Sequence, residues 1–407
     1  MLRSMYSGIS GLKNSQTKLD VIGNNIANVS TYGFKKSRVT FKDMLSQTVA
    51  GASAATDLRG GTNPKQIGLG STLATIDTIH DGSSLQTTTR SLDVGIDGDG
   101  YFVVRQGNAQ YYTRAGNFYL DENGTLVNGD GLAVQAYRYD ANGNLTNVYG
   151  DVAVNVNAVM PATVTSNVVF SENLSADAIT DSVYTQQIRV IDNGGNPHSI
   201  DVHFKRTATG WEYFINKDPE ANPAPTSDGT LTFGADGNLT NPTAPVTFNL
   251  DIDGQAATTV DNLALTLNFA GLTMNSGPTT AIVNPNGNTE GKLDSFNIGA
   301  SGDISGVYSN GEIVTLGRLA LAKFSNTSGL TKAGNNLFQE SINSGAANIG
   351  AAGDGRGSLV SGALEMSNVD LSEEFTEMIV AQRSFQANTR IITTSDEILQ
   401  ELVNLKR

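Results

Sequence analysis

Apolar residues near both ends of the chain recur at alternating steps of three and four residues, which is the spacing of a coiled-coil seam. Six of eight such positions are apolar near the N-terminus, and seven of ten are apolar near the C-terminus. An ordinary surface helix on a globular core could show one such seam. Two seams at opposite ends instead favour pairing with each other or with other copies of the chain. The predicted seam residues are Leu2, Met5, Ile9, Leu12, Leu19 and Ile26, with Leu371, Phe375, Met378, Phe385, Ile392, Leu399 and Val403.

The second predicted helix has a defined start. Asn368 or Asp370 can cap its first backbone N–H groups, and two glutamates follow in the first turn, Glu373 and Glu374. The helix dipole stabilises carboxylates at that end. The same spacing places a helix from about residue 371 to the C-terminus.

Between the two ends the apolar residues form short strands rich in branched and aromatic side chains. Examples are residues 92–96, 101–104, 187–191 and 200–204. Asn-Gly and Asp-Gly pairs punctuate them and supply the left-handed conformations of tight hairpins, at 123–124, 128–129, 142–143, 236–237 and 310–311. Short strands without helical spacing between them predict antiparallel β-sandwich or barrel domains.

We therefore predict a mainly β chain with α-helical termini that pair as a coiled-coil stem, with β domains lying outward and built from discontinuous segments. Gly-rich stretches near residues 50–70 and 340–362 predict flexible connectors. The predicted parts are a terminal core (1–30 with 364–407), connectors (31–70 with 340–363), a β domain (71–144 with 286–339) and an inserted outer β domain (145–285).

Composition narrows the possible functions. The chain has 407 residues, no cysteine, three histidines and a net charge of −14, and charged residues make up 16% of it. The absence of cysteine excludes disulfides, thiolate metal sites and Cys nucleophiles. The acidic balance argues against nucleic-acid binding. No stretch is apolar enough for a membrane helix or a secretory signal, so we expect no membrane insertion and export only by a route that reads no such signal.

Short runs that resemble calcium-binding and phosphate-binding loops lack residues that those loops require. Sequences beginning at Asp97, Asp121 and Asp140 resemble the start of a calcium loop but lack its sixth-position Gly and twelfth-position Glu. The Gly-rich run 353–357 lacks the Lys-Ser/Thr ending of a phosphate loop. We therefore predict no catalytic residue, no cofactor and no metal site, and read these runs as turns and a connector.

Several sequence blocks at the two ends resemble the bacterial flagellar rod and hook proteins. The blocks are Gly11-Leu12, Leu19–Asn28 (LDVIGNNIAN), Gly33-Phe34-Lys35, Ser91–Phe102, Tyr112–Phe118, Gly362–Asp370 (GALEMSNVD) and Met378–Phe385. They cover residues 1–140 and 290–407 in the family order. The motif positions carried over are Asn24, Asn25, Asn28, Gly33, Phe34, Ser367, Asn368, Val369, Gln382 and Arg383.

The resemblance implies a structural subunit of a helical polymer. Paired terminal helices would form the inner core of a tube, with β domains stacked outward. The long insertion 145–285 favours the hook branch, a flexible torque-transmitting joint, over the shorter distal rod branch. Implied partners are the chain itself, the distal rod protein, the hook cap protein, the hook–filament junction protein and the flagellar type III export apparatus. The implied location is extracellular, in the flagellar hook, without a cleaved signal peptide.

Alternatives of other classes stay open at the level of sequence. They are a secreted β-rich enzyme or lectin, for which no acid pair or metal cluster is visible, and an autonomous secreted binding protein or adhesin. We also expect both terminal segments to be largely unstructured in the isolated subunit, since a heptad seam without a partner leaves apolar surface in water.

Overall fold

The structure is a computed structural model that describes residues 2–54, 59–139, 144–155, 159–221, 225–251 and 262–404. The Asn142-Gly143 turn predicted from sequence lies outside these ranges. The chain divides into two compact units. Unit 1 comprises residues 1–154, 297–305 and 315–407, and unit 2 comprises residues 155–296 and 306–314. The insertion boundaries that we expected, 145 and 285, thus lie about ten residues before those of unit 2.

The described chain has thirty strands between two α-helices, with a 3-10 helix at Thr327–Gly329. Helix α1 spans Leu2–Ala27, and the first strands are β1 (Ser37–Asp43), β2 (Ser46–Ala50), β3 (Lys65–Gly68), β4 (Ser71–Thr78), β5 (Leu85–Thr87), β6 (Val94–Asp97), β7 (Tyr101–Gln106), β8 (Ala109–Thr113), β9 (Tyr119–Leu120), β10 (Leu126–Val127), β11 (Ala133–Tyr139) and β12 (Leu145–Asp151). The middle strands are β13 (Val159–Met160), β14 (Asn167–Asn173), β15 (Val183–Ile191), β16 (Pro197–Arg206), β17 (Gly210–Ile215), β18 (Gly229–Phe233), β19 (Leu239–Asn241), β20 (Val246–Asp251), β21 (Asn262–Thr273) and β22 (Ile282–Pro285). The last are β23 (Gly291–Ile298), β24 (Asp303–Tyr308), β25 (Ile313–Lys323), β26 (Thr331–Gly334), β27 (Leu337–Gln339), β28 (Asn348–Ala351), β29 (Ser358–Ser361) and β30 (Ala363–Glu365), followed by helix α2 (Leu371–Asn404).

The prediction of a mainly β chain whose terminal helices pack together is confirmed. Asp370 is the N-cap of α2. Its carboxylate accepts hydrogen bonds from the backbone N–H groups of Ser372 and Glu373 at 2.8 and 3.3 Å. This satisfies donors that the helix itself cannot pair. Asn368, the other candidate cap, has a different role described below.

Unit 1 is built on a sheet in which β25, β11, β7, β8, β27 and β26 lie in that order. Successive residues of β7 serve its two faces, as the pleat of a strand requires. Tyr101 and Val103 join an aromatic cluster in which Tyr112 and Phe324 meet edge to face at 4.8 Å. Phe102 points the other way and meets Phe118 at 5.0 Å. Both faces of this strand are therefore buried.

Unit 2 packs two sheets around one apolar core. One sheet has the order β15-β16-β17-β18-β19 and the other β20-β21-β14-β22. Phe170 stacks on Phe269 at 4.3 Å between them, and Trp211 is 1% exposed. The pairing of β14 with β21 is parallel, whereas the other pairings of these sheets are antiparallel. A parallel pair is possible here because six intervening strands supply the long connection that it needs.

The two Gly-rich segments expected to be flexible connectors contain strands. In the first, β1 pairs with β4 and β2 with β3, which makes a two-stranded β-ribbon. In the second, β28 pairs with β25 and β29 with β6. Val39, Thr40 and Phe41 show the alternation of a strand, whereas the stretch 50–61 between β2 and β3 is rich in Gly and Ala.

Within the described residues, neither helix has a stretch long and apolar enough to span a bilayer.

Candidate assembly interface

The two terminal helices of unit 1 pack antiparallel along faces that repeat every seven residues. Gly8 of α1 lies against Ile392 of α2, and nearer the β part Asn25 contacts Glu374. The inward residues of α1 are Gly8, Gly11, Ser15, Lys18, Ile22 and Asn25, and those of α2 are Glu374, Met378, Ala381, Asn388, Ile392, Ser395 and Leu399. This is the three-and-four spacing of a coiled coil.

Small residues let the helix backbones approach closely. A Cβ built on Gly11 would lie 2.6 Å from the side-chain nitrogen Nδ2 of Asn388. A Cβ built on Gly8 would lie 3.4 Å from the side chain of Ile392. Ala381 and Ser395 are 2% and 7% exposed on the opposite helix. The contact inside one chain therefore combines small residues of both helices with the larger side chains of Ile22, Met378, Ile392 and Leu399.

The predicted seam of α1 lies beside this contact. Met5, Leu12, Leu19 and Ile26, which are spaced by seven, are half-buried, and Ile9 is 38% exposed. The side chain of Leu2 lies outside the described part of the chain. The face that contacts α2 is the neighbouring row of smaller residues.

The predicted seam of α2 lies partly on the face that contacts α1 and partly on the exposed surface of the helix. Met378, Ile392 and Leu399 are half-buried on the inward face. The other members of the predicted seam are exposed on the helix surface, together with Ile379, Ile391 and Ile398, which widen the predicted apolar stripe, and with Val380. The exposed set is Leu371, Phe375, Ile379, Val380, Phe385, Ile391, Ile398 and Val403. These residues remain a prediction for contacts between copies of the chain.

Two asparagines tie the helices to the β-ribbon. The Asn25 side chain is 1% exposed, donates to Glu374 at 3.1 Å and to the carbonyl of Ser37 at 2.9 Å, and accepts from the Ser37 N–H at 3.0 Å. Asn368 accepts from the N–H of Lys36 at 2.7 Å and donates to the carbonyl of Ile79 at 2.9 Å. Each amide thus joins two or more segments distant in sequence.

A buried ionic cluster lies next to these asparagines. The carboxylate of Glu365 accepts from Lys35 Nζ at 2.7 Å and from Arg114 at 3.1 Å, and all three residues are at most 2% exposed. Burial is the main reason that the pKa of Lys35 is lowered, although Glu365 opposes the shift. Removing one member of a buried ion pair costs about 3–5 kcal/mol, because the remaining charge keeps its desolvation penalty.

Sequence analysis did not assign a role to this cluster. Lys35, Arg114 and Glu365 all lie within the motif blocks, and Lys35 and Glu365 directly follow the apolar residues Phe34 and Leu364. A charged residue next to a buried apolar one was the only signal, and most such residues face solvent.

The remaining motif residues lie on both sides of the junction. Gly33 has φ +69° and approaches the backbone of Arg114 and Ala115, where a Cβ would come within 2.6 Å. Phe34 and Ser367 are buried, Asn28 and Val369 are half-buried, and Asn24, Gln382 and Arg383 are exposed. Asn28 donates to the Asn24 carbonyl at 2.9 Å at the end of α1.

The histidines do not assemble into a site. His80 contacts the Tyr101 hydroxyl at 2.7 Å, His198 contacts Asp192 at 2.9 Å, and His203 contacts Thr185 at 2.7 Å. Among the residues that the structure describes, no three His, Asp or Glu side chains lie together as metal ligands would.

Comparison with known families gives four matches in chain order. They are the flagella basal body rod protein family at residues 5–35, the flagellar hook protein FlgE/F/G D1 domain at 95–173, the flagellar basal body protein FlaE D2 domain at 159–288 and the flagellar basal body rod FlgEFG protein C-terminal domain at 360–405. The flagellar hook protein FlgE of Treponema pallidum is 39% identical over the whole of both chains. The chain belongs to the family of flagellar hook and rod proteins. These are structural components of the bacterial flagellum.

Other members of the hook and rod family match equally well. FlgE of Borreliella burgdorferi is 40% identical, and the flagellar basal-body rod protein FlgG of Bacillus subtilis is 42% identical, each over the whole of both chains. The crystal structure of Helicobacter pylori flagellar hook protein FlgE2 has a TM-score of 0.52 at 15% identity, covering 69% of this chain and 100% of that one. That likeness supports the fold.

Proposed function

We propose that this chain is the subunit of the bacterial flagellar hook, a helical tube of identical subunits that transmits motor torque to the filament while it bends. The observation that carries the proposal is the apolar surface that remains on the paired helices. After α1 and α2 have packed on each other, Phe375, Ile379 and Ile391 are still 50%, 57% and 43% exposed. Other copies of the chain would cover this surface through contacts that repeat without closing, which is how helical filaments form.

The surface composition suits a tube that bends. Charged residues make up only 16% of the chain, so neighbouring outer domains can slide with few ion pairs to break. Deleting residues 155–296, which form most of unit 2, should therefore change the stiffness of assembled hooks, measured from their curvature by electron microscopy. Unchanged bending, or outer contacts dominated by buried ion pairs, would contradict this part of the proposal.

The proposed partners follow from the family. They are the distal rod protein at one end, the hook cap protein during growth, the hook–filament junction protein at the other end, and the flagellar type III export apparatus that delivers the chain unfolded. The proposed location is the extracellular hook, and the proposed role is structural and not enzymatic.

A second candidate is the distal rod subunit. The full-length match to the Bacillus subtilis rod protein, at 42% identity, is the observation that favours it. A hook and a rod differ in where the subunit lies, and that position can be measured directly.

The deciding experiment deletes the gene in the source bacterium and examines isolated basal bodies by electron microscopy. A hook subunit predicts complete rods without hooks, and restoration of hooks by the intact gene. Rods that stop short of their distal end would identify a rod subunit. Normal flagella would contradict both, and would favour an autonomous binding protein.

A further inference from the structure

The cluster of Lys35, Glu365 and Arg114 lies where both stem helices meet the β part of unit 1. Lys35 follows the last residue of α1 by eight positions, and Glu365 precedes the first residue of α2 by six. We propose that this cluster is a preformed latch, closed in the subunit before assembly, that sets the register in which the two stem helices pair. The proposal deepens the proposed function, on which it rests for the role of the stem in assembly.

The carboxylate of Glu365 is the centre of the latch because three separate segments donate to it. They are Lys35 after α1, Arg114 at the end of β8, and the backbone N–H of Ser83 at 3.1 Å. The backbone carbonyl of Glu365 also accepts from the N–H of Gly33 at 2.8 Å. All of these bonds form only when the two ends of the chain and the β part are in place together.

The latch changes the entropy of helix pairing. Lys35 and Glu365 are 330 positions apart in sequence, so pairing α1 with α2 in an open chain means closing a very long loop. With the latch closed, only the short segments beyond it have to be ordered. Relative to a wholly unfolded chain, the logarithmic dependence of closure entropy on loop length favours pairing by roughly 100-fold for this shortening. The pairing of β30 with β5, which includes Glu365, contributes to the same closure.

The latch also defines one register. Glu365 is fixed by bonds in several directions, so a shift of either chain end by one residue would leave a buried charge without its partner. A buried ion pair adds little net stability to a fold. Its best-attested effect is to select one register by making shifted registers unfavourable. Beyond the latch, the Asn25–Glu374 hydrogen bond is the first contact of the stem, from which pairing can extend to Gly8 and Ile392.

The test is amide hydrogen exchange on the dilute full-length subunit, with polymerisation measured separately. The latch predicts that the amides of Gly33 and Ser83 are protected while most amides of α1 and α2 exchange quickly. Glu365→Gln should abolish this protection and raise the critical concentration for polymerisation by about tenfold or more. The control is Glu373→Gln, which removes the exposed Lys36–Glu373 pair at the same junction and should change the critical concentration by less than about twofold.

Fast exchange of Gly33 and Ser83 in the wild-type subunit would overturn the latch, as would an unchanged critical concentration in Glu365→Gln. If Glu365→Gln also exposes the core amides of Val103 and Tyr112, that variant has lost its fold and cannot be interpreted. The triple variant Lys35→Met/Arg114→Met/Glu365→Met is then used, because it removes all three charges and leaves none buried without a partner. Protected core amides with impaired polymerisation support the latch, whereas wild-type polymerisation or an unprotected core overturns it. Failure of the wild-type chain to polymerise at all would contradict the proposed function and leave the exchange result to judge the latch.

Discussion

Gly11 of the first stem helix lies directly against Asn388 of the second, where a Cβ would come within 2.6 Å of the Asn388 amide nitrogen. Gly23 of the same helix has no atom within 4 Å of such a Cβ. The two positions have the same intrinsic cost in a helix and differ in packing.

We therefore expect Gly11→Val to weaken stem pairing by about 1 kcal/mol, because the added side chain has to displace the side-chain amide of Asn388 from the contact between the helices. Gly23→Val is the matched control and should be close to neutral. The critical concentration for polymerisation measures both, and equal values for the two variants would contradict the close approach that the structure shows.

Truncation of either end should separate assembly from folding. The two described apolar clusters, one within residues 168–283 of unit 2 and one within residues 101–338 of unit 1, contain no residue of α1 or α2. Removing residues 1–28 or 371–407 should therefore abolish polymerisation while thermal unfolding of the β units persists. A truncated chain that still forms tubes would show that the stem is not the assembly core. A chain that still binds a ligand as a monomer would favour the autonomous binding protein.

Glu374 should resist ionisation at the stem. Burial raises the pKa of this carboxyl above its ordinary value of 4.5, so the folded stem favours the neutral form. Stability from a raised carboxyl pKa is present below pH 4.5 and is lost as the pH rises through the folded-state pKa. Glu374→Gln imitates the neutral form and keeps an acceptor for Asn25.

The variant Glu374→Gln should therefore lower the critical concentration at pH 7 several-fold, with a smaller difference from wild type near pH 4. Glu397→Gln, an exposed position on the same helix, is the control. A rise in critical concentration at pH 7 would show that the charge itself is needed at this contact.

His80 should make unit 1 sensitive to acid. Burial, reinforced by nearby Lys35, lowers the pKa of His80 from 6.5 to about 4. The unfolded chain takes up the proton first, so the free energy of unfolding falls as the pH drops from about 6.5 towards 4. The melting temperature of His80→Gln should decline less between pH 7 and pH 4 than that of the wild type. His203→Gln, on the outer face of β16, should follow the wild type, and parallel curves for His80→Gln would contradict the effect.

Sequence patterning determined much of the architecture. The positions of both helices, the β character of the middle and strands such as β7 and β16 follow from periodicity, and the motif blocks indicated the family. Those features depend on the spacing of apolar and polar residues within short stretches of sequence, which can be read without knowing the tertiary structure. The β-ribbon did not follow from the pattern because β2 and β3 flank a stretch of Gly, Ala and Ser residues that is typical of flexible segments.

The face on which each helix packs was decided only in the tertiary structure. A heptad count selects the largest apolar residues, such as Phe375 and Phe385, yet the contact within the chain uses Gly11, Ala381 and Ser395. Closely approaching backbones favour small side chains at these positions. Met378, Ile392 and Leu399 pack on the same face, whereas Phe375 and Phe385 remain exposed. The latch residues Lys35, Arg114 and Glu365 likewise could not be joined from sequence. Their contact depends on folding, which brings together segments up to 330 positions apart. The charges must pair there because burial removes their hydration.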